Sequence, residues 1–119
     1  MDANMQNILD HYHEPENAGA LLNATSCIEL KNISCGDEIT VYVQLLDEVL
    51  QDVSFQGKGC AISQAAMSML SEEVKGMPKD QILALDKDFV LELLGIEVGP
   101  VRLKCALLGM QALKQALEA

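Results

Sequence analysis

Residues 39–45 read Ile39-Thr40-Val41-Tyr42-Val43-Gln44-Leu45, and apolar and polar side chains alternate through them without a break. Successive side chains of an extended strand point to opposite faces, so a period of two rich in β-branched residues marks a half-buried strand. Working backward, Cys27-Ile28-Glu29-Leu30-Lys31 alternates in the same way and predicts a preceding strand. Working forward, Val49, Val53 and Phe55 are read as continuing the parity beyond Asp47-Glu48, which predicts a turn there and a third strand. Short connections favour antiparallel neighbours, so a three-stranded antiparallel meander is expected.

On either side of the strands the period is helical. Met5, Ile8, Leu9 and Tyr12 predict a short first helix, closed by Pro15 and Gly19. Ile62, Ala65, Ala66, Met69 and Leu70 predict a helix over 61–75, stopped by Gly76 and Pro78. Short helices are expected over 80–85 and 88–94, and a last one opening with Pro100, with Leu103, Leu107, Met110, Leu113 and Leu117 on its buried face. Strands first and helices afterwards is the α+β pattern. With no repeat or linker-like run, the expectation is a single domain over residues 1–119.

Composition narrows the partners. The 119 residues carry eight Lys and Arg against eighteen Asp and Glu, a net charge of −10. An acidic chain with no basic cluster, whose only aromatic residues are Tyr12, Tyr42, Phe55 and Phe89, has neither the phosphate footprint nor the stacking platform of a nucleic-acid binder. Every apolar run is interrupted well short of the ~18 residues a membrane helix needs, so no membrane partner is expected. The acidic start Met1 to Glu16 lacks the marks of a leader, which points to a cytoplasmic protein.

Four cysteines hold most of the remaining information, because in a reducing compartment they more often serve metal or thiol chemistry than bridges. Cys35 lies in a turn-like Ser-Cys-Gly-Asp, Cys60 just before the main helix, and Cys105 near the start of the last helix. Lys58, Arg102 and Lys104 lie close to two of them, and cations and helix N-termini both stabilise thiolates. Asp37 follows Cys35 by two residues, so three cysteines and one aspartate would supply four anionic ligands, the number a tetrahedral zinc or a two-iron cluster needs. There is no paired CxxC, however, and each cysteine taken singly also reads as a small core residue. Cys27 is read as core or incidental, His11 and His13 as surface or capping residues, and Met67, Met69 and Met110 as core.

Taken together, Ser34-Cys35-Gly36-Asp37, Phe55-Gln-Gly-Lys-Gly-Cys60-Ala-Ile-Ser63 and Pro100-Val-Arg-Leu-Lys-Cys105-Ala-Leu-Leu108, in this order, resemble the iron-sulfur cluster assembly scaffolds of the IscU, SufU and NifU N-terminal-domain family. Asp10-His-Tyr-His-Glu-Pro-Glu-Asn-Ala-Gly19 is similar to that family's opening motif, so the resemblance covers nearly the whole chain. It implies a three-stranded antiparallel sheet covered by helices and a solvent-accessible site of Cys35, Asp37, Cys60 and Cys105. It further implies sulfur taken from a cysteine desulfurase, a transient [2Fe-2S] cluster, and transfer to recipient apoproteins. Cys105 is the candidate persulfide acceptor, and Asp37 is expected to tune cluster lability.

Subtype features point two ways. Lys104 stands where IscU-like members carry His, as in SufU-like members, some of which bind zinc and act as sulfurtransferases. That makes zinc-dependent sulfur transfer the alternative function, with Lys104 a candidate for the chemistry. The 45-residue interval from Cys60 to Cys105 lacks the SufU-like insertion and resembles IscU instead. Pro100-Val101-Arg102 resembles part of the segment that an Hsp70-type chaperone recognises in IscU-like scaffolds, but Gly99 stands where a second proline is expected.

Overall fold

The computed structural model describes residues 3–119, so the reading of Met1 and Asp2 as part of an acidic start lies outside the described residues. The element order is α1 (Ala3–His13), β1 (Ser26–Asn32), β2 (Asp37–Leu46), β3 (Val49–Lys58), α2 (Ala61–Val74), α3 (Lys79–Leu83), α4 (Lys87–Leu94) and α5 (Pro100–Glu118). The strands form one antiparallel sheet in the order β1-β2-β3. The α+β meander expected from residues 39–45 is therefore present.

Alternation in β2 does what the pleat dictates: Ile39, Val41 and Val43 are buried, and Thr40 and Tyr42 turn to the opposite, half-exposed face. Asp47 and Glu48 make the β2–β3 turn with φ of 53° and 64°. Positive φ at both central residues gives a hairpin turn whose twist suits the strands it joins. One expectation is corrected here. Pairing runs from Gln44↔Asp52 to Leu45↔Leu50, which leaves Gln51 as the extra residue of a bulge. The bulge shifts the parity by one, so Leu50 and not Val49 joins Val53 and Phe55 in the core.

Helix α2 is buried nearly all round, from Ile62 through Ser71 and again at Val74. Its small residues Ser63, Ala65, Ala66, Ser68 and Ser71 let other elements approach from several sides, as a central helix requires. Helix α5 opens at Pro100 as expected, yet its buried face is Cys105, Ala106, Gly109, Ala112, Leu113, Ala116 and Leu117 with Leu108 and Met110. Leu103 and Leu107 are only partly buried, so the predicted leucine stripe is rotated away from the core at its N-terminal end. The small residues on the true buried face bring α5 close to the sheet and α2.

The opening segment is fastened across α2 and the sheet edge. Ile8 is buried, Ser68 Oγ on α2 lies 2.7 Å from His11 Nδ1 and accepts the Glu16 N–H at 2.8 Å, and Asn17 Nδ2 donates to Ser71 Oγ at 2.9 Å. Backbone bonds Gly19 N–H to Phe55 O and Phe55 N–H to Asn17 O cover the free edge of β3, which would otherwise present unpaired donors and acceptors. Among the described residues no helix is long and apolar enough to cross a membrane.

Candidate metal centre

The site is assembled from the end of the sheet and the starts of two helices. Asn32 O accepts from both Cys35 N–H and Gly36 N–H, and Gly36, at φ +72°, closes the turn that aims Cys35 back over β2. Asp37 is the first residue of β2 and is fully buried. Its Oδ1 accepts the backbone N–H of Cys60 at 2.8 Å, and Cys60 is the N-cap of α2. Gly59 is required at this contact: a Cβ there would sit 2.0 Å from Asp37 Oδ1, and its φ is +145°. One carboxylate thus ties the start of β2 to the start of α2.

Cys105 Sγ lies 2.9 Å from Cys35 Sγ, and ligand atoms of Cys35, Asp37 and Cys105 all fall within 4.8 Å of one another. Cys60 Sγ is 3.9 Å from Asp37 Oδ2, so the fourth expected residue borders the same carboxylate. Three of the four residues singled out in the sequence, Cys35, Asp37 and Cys105, thus gather at one end of the sheet, and Cys60 borders them through Asp37. One residue went unread there: Asn32, whose Nδ2 lies 3.5 Å from Cys35 Sγ. It carries no motif that spacing alone would flag.

Accessibility differs from the expected open site. Cys35 and Cys60 are half-buried, but Cys105 is 2 % exposed and Asp37 is 0 % exposed. Burial, followed by hydrogen bonding to Cys35 and Asp37 and the negative charge of neighbours, pushes the Cys105 thiol above its usual range. The cations expected to favour thiolates are engaged or exposed: Lys58, read beside Cys60, pairs with Glu38 at 3.6 Å, and Arg102 and Lys104, read beside Cys105, are exposed. Cys105 is the sixth residue of α5, past the first turn where the helix dipole acts.

The other candidates separate from the centre. Cys27 is exposed on the outer face of β1, which removes the core half of its reading and leaves the incidental one. His11 is tied to Ser68 and stands 3.4 Å from Glu72, and His13 is exposed. Met67, Met69 and Met110 are buried in the core as expected.

Residues 3–119 match the family described as NifU-like N terminal domain. The chain belongs to this family. Among its relatives, the zinc-dependent sulfurtransferase SufU of Bacillus subtilis (strain 168) is 32% identical over 94% of this chain and 87% of its own length. The iron-sulfur cluster assembly scaffold protein IscU of Thermotoga maritima is 36% identical over 93% of this chain and 89% of its own. A crystal structure from Fervidobacterium islandicum AW-1, described as an assembly scaffold for the SUF system, superimposes with a TM-score of 0.81 at 30% identity, over 98% and 99% of the two chains. The NifU-like family thus includes both a scaffold and a zinc-dependent sulfurtransferase at nearly equal identity to this chain.

The donor set fits a metal. Tetrahedral zinc with sulfur at ~2.3 Å and oxygen at ~2.0 Å sets its ligands about 3.5–3.8 Å apart. Here Cys105 Sγ and Cys35 Sγ are 2.9 Å apart, the ligand atoms of Cys35, Asp37 and Cys105 all lie within 4.8 Å of one another, and Cys60 Sγ is 3.9 Å from Asp37 Oδ2. A metal would need the two close sulfurs to move apart. Thiolates suit zinc and iron-sulfur chemistry, and a single carboxylate among them weakens the hold on a soft site.

Proposed function

We propose that this NifU-like domain is an iron-sulfur cluster assembly scaffold that receives sulfur from a cysteine desulfurase, builds a labile [2Fe-2S] cluster and hands it to recipient apoproteins. The cluster is cargo, held by Cys35, Asp37, Cys60 and Cys105. The observation that supports this most is the convergence of Cys35, Asp37 and Cys105 within 4.8 Å, bordered by Cys60, on a fold whose relatives include named scaffolds.

In the first step Cys105, opened to solvent and having released there the proton that burial holds on it, attacks as a thiolate the outer sulfur of a desulfurase persulfide. The new S–S bond forms on Cys105 as the donor's S–S bond breaks, and the donor cysteine leaves as a thiolate. No net electrons move in that transfer; converting the sulfur to sulfide takes two electrons from an external reductant. Because Cys105 is 2 % exposed, the step requires the Cys35 turn or the first turns of α5 to give way. Cluster lability then follows from Asp37, the one hard ligand.

A second reading, zinc-dependent sulfur transfer, rests on Lys104 and on the 32% identical SufU relative. The same thiols would hold zinc, which orders the ligands and keeps them deprotonated, and one cysteine would leave it to accept sulfur. Anaerobic incubation with iron, cysteine and a cysteine desulfurase separates the two. The scaffold reading expects a visible chromophore with about equal iron and sulfide, transferable to an apo-ferredoxin and lost in Cys105→Ala. Tightly kept zinc, no cluster and zinc-dependent stimulation of the desulfurase would replace it with the second.

A further inference from the structure

A groove of about 430 Å³ runs beside the thiol cluster, between the end of β1 and the outward face of α5. Ile33, Leu103, Leu107 and Leu108 form its apolar walls, and Lys31 and Lys104 stand on its rim. Ile33 is 94% exposed and Val101, one helical turn before Cys105, is 70% exposed. Single exposed apolar residues are ordinary, but a contiguous set rimmed by polar groups marks an interaction surface. This is also the part of α5 where leucines expected in the core face outward instead.

Charge selects the occupant. Four of the eight basic side chains, Lys31, Lys58, Lys75 and Lys79, lie within 4.0 Å of a carboxylate, and Lys114 donates to the Leu85 carbonyl. Among the described residues Lys87, Arg102 and Lys104 have no such partner, and two of these three flank Leu103. The charged lining of the groove is Lys31 and the unpaired Lys104, with no carboxylate among its lining residues, and Arg102 is exposed next to Leu103. In a chain of net charge −10, such a groove complements an acidic partner and repels a basic one.

We propose that this groove seats a segment of a partner protein in which aliphatic side chains are flanked by carboxylates. The leucine-lined wall takes the aliphatic side chains, and Lys104 meets the carboxylates, with Lys31, shared with Glu38, on the opposite rim. Seating there puts the partner against the cluster site, because Asn32 both lines the groove and contacts Cys35 Sγ, and Lys104 directly precedes Cys105. The scaffold reading enters only in making the occupant a protein that exchanges sulfur or cluster. The test reads binding on the metal-free full chain, so its failure leaves that reading standing.

The probe is a fluorescein-labelled peptide of two leucines flanked by glutamates, compared with one carrying lysines for the glutamates and one carrying serines for the leucines. Only the acidic leucine peptide is expected to bind, with backbone amide shifts confined to residues 31–33 and 101–111. Ile33→Asp and Lys104→Glu should each weaken it by about fivefold or more, as should raising the salt. Both positions are exposed, so unchanged thermal melting will confirm that the variants fold. No binding at about 1 mM peptide, equal binding of the lysine peptide, or shifts elsewhere would overturn the proposal. So would a concentration-dependent dimer abolished by Ile33→Asp, which would make a second copy the occupant.

Discussion

Asp37 carries more of the site than any other single residue, and its placement rests on Gly59. Position 59 combines a φ of +145° with no room for a Cβ. Gly59→Ala should therefore force Asp37 off the Cys60 N–H at a cost of about 1–3 kcal/mol in the metal-free protein. Urea unfolding and zinc titration check this, and unchanged zinc affinity would remove Gly59 from the centre. Asp37→Ala takes away the hard ligand while the thiolates stay, so cluster lifetime after reconstitution should lengthen. A shortened lifetime would end the lability account. Cys105 predicts a pH effect whose sign follows from burial. Its folded thiol ionises above the unfolded value of about 8.5. The native state then keeps a proton that the unfolded chain releases, so the stability is complete below about pH 8.5 and falls as pH rises beyond it. Urea unfolding of the metal-free protein at increasing alkaline pH should decline more steeply for wild type than for Cys105→Ser, and parallel declines would contradict the assignment.

At the scale of elements, strict alternation in residues 39–45 made the central strand legible, and Pro100 and Gly76 marked helix limits that the fold keeps within a residue or two. What was not legible depends on contacts between distant segments. Nothing local announces the bulge at Gln51, because Val49 and Leu50 are equally apolar and only pairing with Leu45 decides which faces inward. The α5 stripe was misread for a related reason: leucines outweigh alanines in a hydrophobic pattern, whereas close packing on α2 and the sheet favours Ala106, Gly109, Ala112 and Ala116. The fastening of α1 was equally silent, since Ser68 is one of several serines on α2 and acquires its role only when Glu16 and His11 arrive. Ser68→Ala leaves the Glu16 N–H and the His11 ring without their partner, which should cost about 1–3 kcal/mol in urea unfolding. If α1 is fastened there, hydrogen exchange in residues 8–17 should quicken more than in the strands; uniform quickening would argue against a local fastening.

For the whole molecule, the centre joins pieces of chain that are far apart in sequence: the β1–β2 turn, the start of β2, the N-cap of α2 and the second turn of α5. Such a set has no compact spacing signature. Residue chemistry alone left metal and core readings open, and resemblance of whole motifs, not arithmetic on intervals, selected Cys35, Asp37, Cys60 and Cys105 and set Cys27 aside. The geometry brings Cys35, Asp37 and Cys105 together and sets Cys60 beside Asp37, while the degree of burial was beyond sequence, because it depends on how closely α5 packs on the sheet. The same dispersal has a thermodynamic consequence. A metal held by all four segments binds the folded chain and not the unfolded one, so free zinc at 100 times its Kd should stabilise by about 2.7 kcal/mol. For a domain of this size that corresponds to a rise in Tm of roughly 10 °C. The zinc-induced rise, taken relative to each metal-free protein, should persist in Cys27→Ser and largely vanish in Cys35→Ala and Cys105→Ala. Thermal melting with and without zinc measures it directly. A full rise in Cys105→Ala would mean that zinc sits on the sheet and α2 ligands alone, and α5 would then contribute walls to the centre but no ligand.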